Sequence, residues 1–155
     1  MLVLHVETEQ STRATVRLSR DECWRRLRSA DHGILSTANE RQSVDAVPIC
    51  FVVVGDAVVS PIDQVKPKTT TELGRLRNLR RYPGASLLVE HWDSEDWSQL
   101  WWVRTHLSFV SDRPGDPEPL AEALRAKYAN YRNGEFARLL VFDVVGMTGW
   151  SAQPG

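Results

Sequence analysis

One stretch of the sequence, residues 60–83, concentrates positive charge. It carries six basic side chains against two acidic ones, although the whole chain has a formal net charge of only −1. Three threonines, residues 69–71, add hydroxyl donors where a helix is expected to begin, and a helix N-terminus offers unpaired backbone N–H groups and the positive end of its dipole. This combination favours binding of a phosphate or another polyanion, although such charges can also lie on a solvated helix face. The basic residues are Lys66, Lys68, Arg75, Arg77, Arg80 and Arg81.

The elements around this stretch are mainly strands. Hairpins join most of them, without regular βαβ units, which predicts an antiparallel sheet. Six strands with alternating faces close into a small β-barrel whose ends the helices would cover, an α+β fold that is mainly β. The strands are predicted at 33–37, 44–54, 57–61, 85–92, 100–110 and 137–146.

Three helices are predicted between these strands. Ser19 and Glu22 have the spacing of a capping box, and we expect Gly33 to end the first helix. The basic helix places Leu73, Leu76 and Leu79 toward the core and ends before Pro83. A third helix is predicted over 117–131, capped by Asp116. Two further positions mark irregular strands: Pro48 indicates a bulge or an edge strand, and Gly146 a bulge.

Length and composition limit the classes of protein. With 155 residues the chain is most simply one domain, 19–155, preceded by an N-terminal extension or edge strand at 1–18. No apolar run is long enough to span a membrane and the first residues do not resemble a signal peptide, so a cytoplasmic protein is the default expectation. The near-neutral charge argues against a general nucleic-acid binder. Cys23 and Cys50 are interpreted as buried thiols, and the histidines show no metal-ligand spacing, so no metal site is expected.

Several motifs together resemble a known family. The run from Ser60-Pro61-Ile62-Asp63 through Lys66-Pro67-Lys68 to Arg75–Pro83 resembles the cofactor segment of the pyridoxamine-5'-phosphate-oxidase-like split β-barrels. The branch that it resembles most is the actinobacterial set of F420-dependent flavin/deazaflavin oxidoreductases, the PPOX class. The segments 33–37 and 47–51 resemble that family's first two barrel strands, and 100–104 resembles a late strand beside the cofactor.

The resemblance implies a fold and an activity. The fold would be a six-stranded split barrel, and the protein a homodimer with cofactor clefts between its subunits. The cofactor would be coenzyme F420, or FMN in sister groups, and a hydride would pass to an unsaturated or conjugated small molecule. Because such a cofactor carries the reactive atom, no catalytic side chain is assigned. The candidate cofactor-binding residues are Ser60, Pro61, Ile62, Lys66, Lys68, Thr69, Arg75, Arg77, Asn78, Trp101, Trp102 and Arg104.

The aromatic strand leaves alternatives open. Trp101 and Trp102 could stack on a ring, or they could be core or dimer-interface residues, and alternation places them on opposite faces of the sheet. Arg104 shares the face of Trp102 and could pair with an anionic group. Two other functions stay in view: a non-catalytic carrier of F420 or FMN, and a small barrel that stacks single-stranded bases on its tryptophans.

Overall fold

The structure, a computed structural model, describes residues 16–63, 70–114 and 119–153. Within these residues, eight strands and three α-helices follow one another along the chain, together with two single-turn 3-10 segments, Trp97–Gln99 and Ala129–Tyr131. None of the described helices is both long and apolar enough to cross a membrane. The elements are β1 (Val16–Arg17), α1 (Arg20–Ser29), β2 (Gly33–Ala38), β3 (Val44–Ile49), β4 (Val52–Val54), β5 (Ala57–Asp63), α2 (Thr70–Arg81), β6 (Gly84–His91), β7 (Trp101–Pro114), α3 (Leu120–Lys127) and β8 (Phe136–Ser151).

All strand pairs are antiparallel, in the order β3-β2-β6-β7-β8-β5-β4, and β1 pairs with β8. The main core lies on one side of this sheet, which is where Leu35, Leu87, Val103 and Phe142 are buried. The predicted class, an antiparallel split barrel with helices, is confirmed. The predicted count of six strands is wrong, because the segment 44–54 is divided in two and β1 adds a short edge. The first fifteen residues of the predicted N-terminal extension lie outside the described part of the chain.

Side chains at the C-terminal end of α3 contact the backbone at the break between β3 and β4. The Phe51 N–H donates to Tyr128 Oη at 3.0 Å, and Lys127 Nζ donates to the Phe51 carbonyl at 2.8 Å. Tyr128 Oη also lies 2.7 Å from the carbonyl oxygen of Asp31, to which it can donate. Because side chains satisfy the backbone of Phe51, this residue needs no strand partner. Burial lowers the pKa of Lys127 to about 8 and raises that of Tyr128 to about 12.

Helix α1 follows its predicted cap but not its predicted end. Ser19 Oγ accepts from the Glu22 N–H at 3.2 Å, as in a capping box, and Cys23, Trp24 and Leu27 are buried. The helix ends at Ser29, so the prediction that Gly33 stops it is wrong. Gly33 lies in β2, where a Cβ atom would approach Leu87 Cδ1 to 2.7 Å. The close approach of β6 therefore requires this glycine.

The remaining elements differ from the sequence predictions mainly in their ends. Helix α2 ends at Arg81, before Pro83, as predicted, whereas α3 is shorter than predicted. Asp116, its predicted cap, lies outside the described residues, and Pro119 occupies the cap position. Pro48 lies on β3, an edge strand, in agreement with one of its two interpretations.

The ladder between β7 and β8 shifts register next to Gly146, as its interpretation as a bulge predicted. His106 pairs with Gly146 and Leu107 with Val144, which leaves Val145 as the extra residue. The side chain of Val145 is 70% exposed. Both cysteines are free thiols, Cys23 buried and Cys50 half-buried.

Candidate cofactor site

The sheet has a second side, opposite the main core, that we call the outer face. Alternation along β3, β2, β6, β7 and β8 places side chains there in cross-strand rows, for example Pro48, Ile34, Leu88, Arg104 and Thr148. A shallow cavity of about 550 Å³ lies on this face. Six of the residues that line it are Ser36, Ala38, Val44, Ser86, His106 and Val145.

A second cavity, which we call the cationic cavity, lies between α2 and the turn that joins β2 to β3. It measures about 220 Å³ and is lined by three arginines, Arg41, Arg77 and Arg81, with two carboxylates, Glu40 and Asp45. Arg81 pairs with Glu40 at 3.2 Å, and both side chains are more than half exposed. The formal charge of the five side chains is positive, so the cavity suits an anion.

Asn78 fixes α2 to this turn. Its side chain is 8% exposed, and Nδ2 donates to Asp45 Oδ2 at 2.8 Å and to Thr37 Oγ1 at 3.2 Å. Asn39 organises the turn itself, because its Oδ1 accepts from the N–H groups of Arg41 at 3.0 Å and Ser43 at 3.1 Å. The cavity is therefore held by the hydrogen bonds of Asn78 and Asn39, two of which go to the exposed carboxylate of Asp45.

The cationic cavity and the outer-face cavity both border the β2–β3 hairpin. Ala38 and Val44 line the outer-face cavity, whereas their sequence neighbours Asn39 and Asp45 line the cationic cavity. Because alternation turns Val44 and Asp45 to opposite faces of β3, the two cavities lie on different sides of this hairpin. Among the described residues that line the outer-face cavity, His106 is the only titratable side chain.

The predicted residues of β5 are buried. Ser60 is fully buried and donates its Oγ to the Cys50 carbonyl at 2.9 Å, and Ile62 belongs to the core. Their backbones pair with 138–140 of β8. The family resemblance implies that the backbone of 60–62, and not these side chains, faces a cofactor ring, and this stays a prediction.

The predicted basic residues divide into three groups. Lys66, Lys68 and Thr69 lie outside the described residues. Arg77 lines the cationic cavity, whereas Arg75 is half-buried on α2 and is not among its lining residues. Asn78 borders the cavity too, but both donated bonds of its amide go to the protein.

The two tryptophans of β7 do lie on opposite sides of the sheet. Trp101 contacts the main core and also lies beneath Arg26, whose guanidinium carbon is 4.8 Å from the ring centre. Trp102 lies on the outer face with Arg104, whose guanidinium carbon is 5.3 Å from its ring. Only Trp102 and Arg104 therefore share a face with the outer-face cavity.

Sequence reasoning missed Arg41, Asn39 and His106 as site residues. An Asn in a polar turn such as 38–41 is a signal for a local Asx turn, in which its side chain accepts from the backbone two residues further on. Which side of the turn meets α2 depends on tertiary contacts that no local pattern contains. Among the described residues, no group of three His, Cys, Asp or Glu side chains could hold a metal ion.

Comparison with known proteins supports the architecture. No family model and no curated protein matches the sequence. An FMN-binding protein from Syntrophomonas wolfei superposes with a TM-score of 0.62 at 17% identity, covering 83% of this chain and 86% of that one. A putative pyridoxamine 5'-phosphate oxidase from Corynebacterium glutamicum gives 0.56 at 14% identity, with 91% and 96% covered. An F420 reductase gives 0.54 at 14% identity, with 83% and 95% covered. The chain therefore has the split β-barrel fold that these three structures share.

Proposed function

We propose that the protein is an oxidoreductase that binds a phosphate-bearing flavin or deazaflavin, with coenzyme F420 as the first candidate and FMN as the alternative. The observation that carries the proposal is the cationic cavity, which lies at the same β2–β3 hairpin as the outer-face cavity. The first suits a phosphate, and the second suits a flat ring system. Solved structures of the same fold include an FMN-binding protein and an F420 reductase, which supports this choice of ligand.

In this proposal the phosphate lies in the cationic cavity against Arg41 and Arg77. Lys66, Lys68 and Thr69 precede α2 in sequence and would add further donors. The ring would lie on the outer face, close to the backbone of β2 and β6, on the side of the sheet that also carries Trp102. A bound deazaflavin supplies a hydride at its central ring, and this chain supplies orientation, electrostatics and exclusion of water. His106 is the group that could hold or move a proton there.

We further propose that a second copy of the chain covers the outer face. Val44 and Val145 are 62% and 70% exposed, and both line the outer-face cavity. A contiguous apolar surface of this kind is typical of an interaction site. A partner subunit would turn the shallow cavity into a cleft, which the water-excluding part of the mechanism requires.

Titration with F420 and FMN, followed by fluorescence and calorimetry, tests the proposal. We expect saturable binding of at least one of the two, and turnover when reduced F420 meets an α,β-unsaturated or other conjugated acceptor. The combined change Lys68→Ala and Arg77→Ala should weaken binding, whereas Arg132→Ala, an exposed arginine beyond α3, should not. Binding without turnover on a broad panel of acceptors would favour the carrier. Absence of binding to both cofactors would refute the proposal.

A further inference from the structure

A third cavity, unconnected with the proposed cofactor site, lies between α1 and the start of β7. It measures about 390 Å³, a volume in the range of small-molecule sites. Its lining contains no aliphatic side chain and no carboxylate. Six of its lining residues are Arg25, Arg26, His91, Ser98, Trp101 and Gln153.

The position of this cavity separates it from the cofactor site. His91 lies at one end of β6. Ala85 lies near the other end, where it pairs with Thr37 beside the cationic cavity. The two residues are six positions apart along the strand, about 20 Å at roughly 3.3 Å per residue. Trp101, which lines this cavity, also points to the opposite side of the sheet from Trp102.

Arg26 is held rigidly at the wall of the cavity. Its side chain is only 12% exposed, its Nε donates to Glu22 Oε1 at 2.8 Å, and its guanidinium carbon lies 4.8 Å from the centre of the Trp101 ring. Among the described residues, no hydrogen bond reaches its two terminal nitrogens. A fixed guanidinium with unused donors binds a carboxylate or phosphate with little further loss of side-chain entropy.

The charges around Arg26 leave it available to an anion. Glu22 also accepts hydrogen bonds from Arg25, so one carboxylate balances two guanidinium groups. A second carboxylate, Asp96, accepts from the Ser98 N–H at 3.0 Å and from the Ser98 hydroxyl. On the remaining wall, His91 stacks on Trp101 with ring centres 6.5 Å apart and planes at 22°.

We infer that this cavity is a binding site for a small polar organic anion, a molecule of metabolite size whose carboxylate or phosphate group pairs with Arg26. The donor-rich lining without aliphatic side chains favours a hydrophilic ligand. The flat surface of His91 and Trp101 favours one that also has a planar part. The site is independent of the cofactor and would allow a metabolite to bind the same chain without competing for the outer face.

The test uses the indole N–H signal of Trp101 in ¹H–¹⁵N spectra, assigned with Trp101→Phe. The protein carries Arg41→Gln and Arg77→Gln, so that the cationic cavity does not contribute. Citrate represents carboxylates and pyrophosphate represents phosphates. We expect at least one of them to shift the Trp101 signal saturably with a Kd of about 1 mM or tighter, and Arg26→Gln to weaken that binding at least about tenfold. Arg26→Lys should recover only part of it, because lysine lacks the planar fork.

If Arg26→Gln does not fold, His91→Ala and Gln153→Ala test the site in its place, because both residues line the cavity and are exposed. At least one of these changes should weaken binding about threefold or more. Failure of both anions to shift Trp101 would overturn the inference. So would equal affinities with and without Arg26→Gln, or, where that variant does not fold, an affinity that neither His91→Ala nor Gln153→Ala changes.

Discussion

Replacement of Asn78 by alanine tests how the cationic cavity is held together. The change removes a bond to the Asp45 carboxylate and a bond to Thr37 Oγ1. A hydrogen bond to a charged group contributes about 1.5–3 kcal/mol to stability and a neutral one about 0.5–1.5 kcal/mol. Asp45 is exposed and keeps its bond from Asn39 Nδ2 at 3.0 Å, so water recovers part of the loss. We therefore expect Asn78→Ala to lower the free energy of unfolding by about 2 kcal/mol.

Urea unfolding, monitored by circular dichroism, measures this change, and a loss of about 2 kcal/mol corresponds to a Tm lower by roughly 4–8 °C for a domain of this size. Asn130→Ala, at an exposed position with no side-chain hydrogen bond among the described residues, is the matched control and should change stability by less than about 0.5 kcal/mol. Equal unfolding midpoints for Asn78→Ala and the control would refute the claim that this amide fixes α2 to the β2–β3 turn.

Two further predictions concern stability alone. Gly149→Ala should lower the free energy of unfolding by about 1–3 kcal/mol, because its Cβ would lie 2.8 Å from Cys23 Sγ and 3.0 Å from Leu18 Cδ1. Gly74→Ala lies inside α2 with nothing within 4 Å of its Cβ, so it should raise the free energy of unfolding by up to about 1 kcal/mol. Urea unfolding of both variants measures these changes, and the same sign for both would contradict the prediction. For the pH dependence, the unfolded state binds more protons at Lys127 between its folded pKa of about 8 and its ordinary value of 10.5, so stability should rise with pH in that window. The folded pKa of Tyr128 lies at about 12, above its ordinary value of 10.0, so its contribution should fall as pH rises beyond 10. Urea midpoints measured between pH 7 and 11 should therefore pass through a maximum near pH 10. Tyr128→Phe should remove the part of the decline above pH 10 that is due to Tyr128. A midpoint that stays constant from pH 8 to 10 would contradict the account of Lys127.

The strands and helices could be predicted from local patterns where one face is buried. Alternation on β7 separated Trp101 from Trp102 correctly, and the spacing of Leu76 and Leu79 placed one face of α2 in the core. Gly33 was misinterpreted because a glycine after a helix usually marks its end, and the approach of Leu87 from a strand fifty residues later is invisible to local reasoning. The division of 44–54 has the same origin, since Lys127 and Tyr128 reach Phe51 across 76 and 77 residues.

The site was predictable in kind and only partly in detail. Clustered positive charge on α2 indicated an anion site, and Arg77 does line the cationic cavity. Arg41 and Asp45 complete that cavity from a hairpin more than thirty residues earlier in the chain. Ser60 shows the converse case, because a residue selected for its place in a motif has its hydroxyl committed to Cys50 within the fold.

The central claim, that the arginines of the cationic cavity hold the phosphate of a ring cofactor, is tested most directly by comparing each cofactor with its phosphate-free counterpart. F420 is measured against its deazaflavin chromophore without the phosphate tail, and FMN against riboflavin, for the wild-type protein and for Arg41→Gln with Arg77→Gln. We expect wild-type protein to prefer the phosphate form of its cofactor by at least about tenfold, roughly 1.4 kcal/mol. The double variant should lose most of that preference while binding the phosphate-free ring as wild type does. An equal preference in both proteins would contradict the account.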